Sequence, residues 1–119
     1  MGFSGFSLFL VLCFGHCLCD YPLQSDKIAR GKNPALMEAA TAEETKSEKE
    51  EKIAWAYWMA GHAGTHALAV SLLTGNAWLG LAEFVAHFLI DWGKCRGLFA
   101  LGVDQGLHLG CKAAWTLLA

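Results

Sequence analysis

Apolar residues fall into four long segments of the chain, at about 1–19, 53–73, 77–92 and 98–118. A charged stretch at 20–52 separates the first segment from the second. About twenty apolar residues in a helix span the roughly 30 Å hydrocarbon layer of a bilayer. The pattern therefore predicts an all-α, integral membrane four-helix bundle, a single membrane domain over 1–119 with one long charged loop between helices 1 and 2.

The distribution of charge supports this prediction. Residues 1–19 carry no formal charge. Six charged residues lie in 53–119: Glu83, Asp91, Lys94, Arg96, Asp104 and Lys112. Hydrophobic residues make up 55% of the chain. Because the apolar segments contain so few charged residues, helices in them lack the polar face of an ordinary surface helix. The net charge of −2 gives no basic patch, so no nucleic-acid partner is predicted.

Two parts of the chain allow more than one interpretation. Segment 1–19 is either a retained membrane helix or a cleaved signal peptide, and the missing basic start favours the retained helix. In the charged stretch, 20–33 is predicted to be irregular, and 34–52 to be a solvated helix or partly disordered. Eight of the nine Lys and Arg residues lie in 20–52 or 93–97, which places that side in the cytoplasm of a bacterial inner membrane.

Histidine and aspartate form a pair with four-residue spacing in each apolar segment: His16/Asp20, His62/His66, His87/Asp91 and Asp104/His108. Residues four apart lie on the same face of a helix, which lets two side chains bind one metal ion. An ionised aspartate inside a bilayer is costly unless it is paired. The pairs therefore predict a shared polar site with these eight residues as metal ligands.

The residue types in the pairs favour particular metals and a particular chemistry. Imidazole and carboxylate together suit zinc first, with manganese or iron as alternatives, and we expect one or two divalent ions. The predicted activity is hydrolysis of a phosphoester or lipid-linked substrate. Asp91 and Asp104 are the candidate catalytic carboxylates, and Lys94 is the candidate group for binding an anionic or phosphate-bearing small substrate. Glu83 precedes His87 by four residues and could orient it.

Four short sequences contain most of these residues: GHCLCDYPLQSDKIARGKN at 15–33, HAGTH at 62–66, HFLIDWGK at 87–94 and DQGLHLG at 104–110. In order and approximate spacing they resemble the DUF3307 family, small bacterial and phage membrane proteins of unknown function. The resemblance implies these motif positions: His16, Asp20, Gln24, His62 or His66, His87, Asp91, Lys94, Asp104, Gln105 and His108. A weaker likeness is to membrane-bound metal-dependent hydrolases, whose His and Asp ligands also come from helices.

Two other classes of function remain open. Two facing histidines could ligate haem, or the His/Asp chain could relay protons. A non-enzymatic membrane factor, acting on a phage or host envelope, would use the polar cluster only for helix association. The lipid bilayer is the expected partner in each case, and the sequence leaves a homo-oligomer open.

Overall fold

A computed structural model describes residues 2–43 and 55–119. These two stretches contain six helices and no strand. The helices are α1 (Gly5–Asp20), α2 (Asp26–Gly31), α3 (Pro34–Glu43), α4 (Trp55–Thr74), α5 (Ala77–Cys95) and α6 (Leu101–Leu118).

The four long helices form a closed ring in which each helix packs against two neighbours. α1 packs against α4 and α6, and α5 packs against the same two helices. α4 and α5 make a helical hairpin whose turn contains Gly75, at a φ of 68° that favours glycine. The Asn76 side chain accepts hydrogen bonds from the N–H groups of Trp78 and Leu79 and so caps the start of α5.

Two glycines allow close contacts that place residues of the polar interior. A Cβ at Gly80 would collide with the Ser71 side chain and lie 2.7 Å from the carbonyl oxygen of Ala67, so α5 lies close against α4 there. A Cβ at Gly31, the last residue of α2, would lie 2.7 Å from the Trp58 ring. The contact of Gly31 with Trp58 brings the end of α2 against the long helices, and with it the next residue, Lys32.

The interior of the four-helix arrangement has an apolar cluster at one end and buried polar and charged residues along the rest, with Cys19, Met59 and Ala63 buried among them. Leu8, Leu12, Val70 and Leu79 form a buried apolar cluster. The buried polar and charged residues are His16, Lys32, His62, His66, Glu83, His87, Asp91, Asp104, His108 and Lys112. Large apolar side chains lie on the outer faces of the long helices, whereas most of the ionisable groups of these helices are buried between them.

The predicted membrane architecture is wrong. Within residues 2–43 and 55–119, no helix combines the length and the apolar character needed to cross a membrane. α1 has 16 residues, about 24 Å at 1.5 Å per residue, against a hydrocarbon layer of roughly 30 Å. α5 carries Glu83, Asp91 and Lys94, and two histidines interrupt the apolar run of α4. The integral membrane bundle, its four spans and the multi-pass inner-membrane location are corrected accordingly.

The charged stretch also differs from its prediction. Residues 20–33, expected to be irregular, contain α2, whose start is capped because Ser25 Oγ accepts the N–H of Ile28. The helix predicted over 34–52 is described as α3 up to Glu43, and its remainder lies outside the described residues. The consequence for the site is that Lys32, just after α2, is buried at the polar end of the ring.

Candidate metal centre

The imidazole groups of all five histidines meet in the interior of the four long helices. α1 supplies His16, α4 supplies His62 and His66, α5 supplies His87, and α6 supplies His108. Every one of them is buried. The rings of His66 and His87 stack with centroids 3.6 Å apart, and those of His87 and His108 are 4.2 Å apart. The four-residue spacing places these side chains on the inward faces of their helices.

Four donor atoms from α1, α4 and α5 form the first group within this cluster. Asp20 Oδ1 lies 3.3 Å from His62 Nε2 and 2.9 Å from His66 Nε2. His87 Nε2 lies 3.2 Å from His62 Nε2 and 3.9 Å from Asp20 Oδ1. Because these four atoms lie within 4.8 Å of one another, the group could hold one metal ion.

A second group joins α5 to α6. His108 Nε2 lies 3.0 Å from Asp91 Oδ1 and 3.4 Å from Asp104 Oδ1, and all three side chains are buried. His16, His87 and His108 form a further set of donors at the same spacing. The structure thus brings together all eight residues predicted as metal ligands, and their groups could hold a metal ion.

Lys32 belongs to the cluster, although the spacing of the pairs did not single it out. Its ammonium donates a hydrogen bond to Asp91 Oδ2. Lys94, the cation expected beside Asp91, is exposed and lines a small cavity next to the cluster. One signal could have found Lys32, namely its place in the sequence at 15–33 that resembles the DUF3307 motif.

The side chain of Gln105 links α1 to α6 at the polar end of the ring. Its Oε1 lies 3.1 Å from His16 Nε2. Its Nε2 donates to Asp104 Oδ2 at 3.0 Å and to Asp20 Oδ2 at 3.3 Å. Gln24 donates to the backbone carbonyl of Asp20 at 3.2 Å, so both glutamines hold residues of the cluster in position.

Glu83 orients His87 through a direct contact. Its Oε1 accepts from His87 Nδ1 at 3.3 Å and from Lys112 Nζ at 2.5 Å, and its Oε2 accepts from Trp115 Nε1 at 2.6 Å. Because an ionised carboxylate only accepts, His87 Nδ1 is the donor in this contact, and His87 Nε2 faces His62 Nε2 at 3.2 Å. Lys112 and Trp115 are members of this network that the sequence patterns did not indicate.

Two carboxylates of the cluster are held ionised, and one of its histidines is held neutral. Burial opposes ionisation of Asp91, but hydrogen bonds from His108 and His62 outweigh it and hold the pKa of this carboxyl well below its usual range. Asp20 has a lowered pKa for the same reason, with His62 and His66 as its partners. Burial lowers the pKa of His66 to about 3, despite its contact with Asp20. The carboxylates are therefore charged, and the His66 ring is neutral.

His108 titrates in the opposite sense. Burial alone would lower its pKa, but the carboxylates of Asp104 and Asp91 raise it to about 9. In the absence of a metal, a protonated His108 is therefore one source of positive charge beside these two carboxylates.

The protein alone does not complete the hydrogen bonding of this cluster. In the stretches that the structure describes, five buried polar atoms have no hydrogen-bond partner: His16 Nδ1, Gln24 Oε1, His66 Nδ1, Asp104 Oδ1 and His108 Nδ1. Such atoms are rare in folded proteins, because a desolvated polar group without a partner is costly. Four of the five belong to the predicted ligands, so the cluster has unused capacity to bind an ion or water.

Two cavities lie next to the cluster. The smaller measures about 80 Å³ and is lined by the carboxylates of Asp20, Asp91 and Asp104 together with Lys32 and Lys94. At roughly 30 Å³ per water, it has room for two to three waters or a phosphate-sized group. The larger is an apolar groove of about 390 Å³ on another side of His62, lined also by Ile28, Tyr57, Trp58 and Gly61.

Comparisons with models of known protein families, with curated protein sequences and with solved structures find no match to this chain. The functional argument therefore rests on the geometry and chemistry of the buried cluster.

Proposed function

We propose that this chain is a metal-dependent hydrolase of phosphoesters, with an ion bound by Asp20, His62, His66 and His87. The spacing of the donor atoms carries the proposal. Zinc–ligand bonds of about 2.0–2.1 Å in tetrahedral geometry place neighbouring ligand atoms about 3.3–3.4 Å apart. In the first group, four of the six distances between donor atoms are 2.9, 3.2, 3.3 and 3.9 Å, which bracket this value.

The chemistry of the donors supports zinc as the first candidate, with manganese or iron as alternatives. Three imidazole nitrogens and one carboxylate oxygen suit these ions. The Glu83 carboxylate holds His87 in the tautomer that a metal ligand needs, an arrangement common behind metal-bound histidines. With a water as a fifth ligand, a bound divalent ion would lower the pKa of that water and polarise a phosphoryl oxygen.

The residues around the small cavity provide the other roles that hydrolysis requires. Lys32 and Lys94 bind the anionic phosphoryl group, and Gln105 holds the carboxylates of Asp20 and Asp104 in place. A carboxylate at the cavity, Asp91 or Asp104, takes a proton from the attacking water. The new water oxygen–phosphorus bond forms as the ester oxygen–phosphorus bond breaks, and the same proton passes to the leaving oxygen.

The two cavities suggest the shape of the substrate. The small cavity fits a phosphoryl group, and the groove beside His62 is large enough for an apolar substituent. A phosphoester fits the small cavity, and the apolar group of a lipid-linked one would have to reach a groove that shares no lining residue with that cavity.

The geometry favours this proposal over the alternatives. The stacked rings of His66 and His87 leave no space between them for a porphyrin, which disfavours haem. A cluster that served only helix association would be expected to satisfy its own polar atoms, whereas Asp104 Oδ1 has no hydrogen-bond partner in the described stretches. Membership of the DUF3307 family stays a prediction, and its quoted motifs include the ligands named here.

Metal content and hydrolysis of the purified full chain test the proposal. Wild type should bind zinc, and His66→Ala should lose most of it because a four-ligand set has lost one member. Lys94→Ala should keep its zinc, because an ammonium is not a ligand, but should hydrolyse 4-nitrophenyl phosphate more slowly. Trp78→Phe, at a side chain 79% exposed, is the control for both measurements.

Two outcomes would contradict the proposal. A wild-type chain that binds neither zinc, manganese nor iron after reconstitution has no metal centre of this kind. A chain that binds metal but hydrolyses phosphate monoesters no faster than Asp91→Asn is a metal-binding protein without the proposed activity.

A further inference from the structure

We propose that Asp91, Asp104 and His108 bind a second divalent cation, and that Asp91 links it to the first ion in a two-metal centre. This inference rests on the proposed function, and it adds a second ion and a preferred substrate charge. Its three ligands come from α5 and α6, whereas those of the first group come from α1, α4 and α5.

The donor atoms of this second group have the spacing of metal ligands. His108 Nε2 lies 3.0 Å from Asp91 Oδ1 and 3.4 Å from Asp104 Oδ1. The side chains are fixed by burial, with exposed fractions of 0% for His108, 4% for Asp91 and 1% for Asp104. Three protein ligands with an open position are typical of catalytic rather than structural zinc sites.

One oxygen of Asp104 lacks a hydrogen bond, which is a second sign of a missing cation. Its Oδ2 accepts from Gln105 at 3.0 Å, but its Oδ1 is buried without a hydrogen-bond partner in the part of the chain that the structure describes. This oxygen lies 3.4 Å from His108 Nε2, and leaving a buried carboxylate oxygen without a hydrogen bond is costly. A cation between Asp104 Oδ1 and His108 Nε2 would remove that cost.

Asp91 lies between the two groups. Its Oδ2 is 3.3 Å from His62 Nε2 and 3.5 Å from His87 Nε2, in the first group. Its Oδ1 faces His108 in the second group. One carboxylate can therefore give one oxygen to each ion, which is how hydrolytic two-metal sites hold ions about 3.5–4 Å apart.

The charge of the cluster makes the number of ions matter for the substrate. Three carboxylates (Asp20, Asp91 and Asp104) and two ammonium groups (Lys32 and Lys94) line the adjoining cavity, which leaves one negative charge when the histidines are neutral. One divalent ion would leave one positive charge there, whereas two would leave three. The adjoining cavity is lined by both ligand carboxylates, Asp91 and Asp104. A two-ion site therefore favours the dianion of a phosphate monoester over a monoanionic diester.

Zinc binding to the metal-free full chain tests the second site. We expect two zinc ions per wild-type chain, and one ion in His108→Ala and in Asp104→Asn. The Asp104→Asn substitution changes the shape of the side chain very little, so it removes the charge with the least disturbance of packing. A wild type that binds one ion, with that ion retained in His108→Ala, overturns this inference and leaves the proposed function standing. A wild type that binds none overturns both.

A measurement on wild type alone covers the case in which the variants fail to fold. Two Mn²⁺ ions at the distance of a bridged pair are exchange-coupled and lack the six-line paramagnetic resonance spectrum of an isolated ion. The coupled spectrum is expected at two equivalents of Mn²⁺. A six-line spectrum that merely doubles in intensity from one equivalent to two places the ions apart, and overturns the bridging role of Asp91.

Discussion

The buried ion pair between Glu83 and Lys112 has two separable effects, one on stability and one on metal affinity. Both side chains are 1% exposed, and Glu83 also accepts hydrogen bonds from His87 and Trp115. Glu83→Met leaves the ammonium of Lys112 buried without its counter-charge. Breaking a buried pair in this way costs about 3–5 kcal/mol of unfolding free energy. Lys112→Met should destabilise the chain similarly, because it leaves the carboxylate without its cation.

The double variant, Glu83→Met with Lys112→Met, should be more stable than either single one. It buries two apolar side chains, and its cost is that the N–H groups of His87 and Trp115 lose their acceptor, about 1–3 kcal/mol each. The interaction energy from this double-mutant cycle should be at least about 2 kcal/mol. Unfolding of the metal-free chains by urea, followed by circular dichroism, gives all four free energies.

Zinc affinity should follow a different pattern across the same variants. Glu83→Met and the double variant should bind zinc about 10- to 100-fold more weakly, because His87 loses the carboxylate that orients it. Lys112→Met keeps that contact and should bind zinc within a few-fold of wild type. Competition with a chromophoric chelator measures these affinities. The reasoning is refuted if Lys112→Met loses as much affinity as Glu83→Met, or if the stability changes simply add.

Three further predictions concern packing, metal removal and the buried lysine. Gly80→Ala should lower the thermal midpoint because its Cβ meets Ser71 and the backbone of α4, whereas Gly106→Ala, with nothing within 4 Å, should leave it unchanged or raise it. A chelator should lower the midpoint of wild type, and added zinc should restore it, because a ligand of the folded state stabilises that state; an unchanged midpoint would argue against a bound ion. Lys32→Met should raise zinc affinity roughly tenfold or more, since unit charges 4 Å apart interact by about 4 kcal/mol at an effective dielectric of 20; weaker zinc binding would show that Lys32 supports the site instead.

The sequence by itself determined which residues could form the site. A spacing of four residues is a local property of a helix, so His87 and Asp91 share a face whatever the helix packs against. The same holds for Asp104 and His108. Asp20, which the sequence places at the end of its segment, is the last residue of α1, and its carboxylate still reaches His62 and His66.

Tertiary structure decided which groups meet and what surrounds them. The contact between His16 and Gln105 joins residues 89 positions apart, and the one between Lys32 and Asp91 spans 59, so both depend on how helices pack. Hydropathy likewise counts polar residues without showing which way they face. Hydropathy therefore predicted membrane spans in these segments. In the structure their ionisable residues meet in the interior of the four long helices, and no helix of the described residues is long and apolar enough to cross a membrane. Which side chains contact one another is decided by the packing of helices that are far apart in the sequence. The local periodicity of a sequence carries no information about that packing.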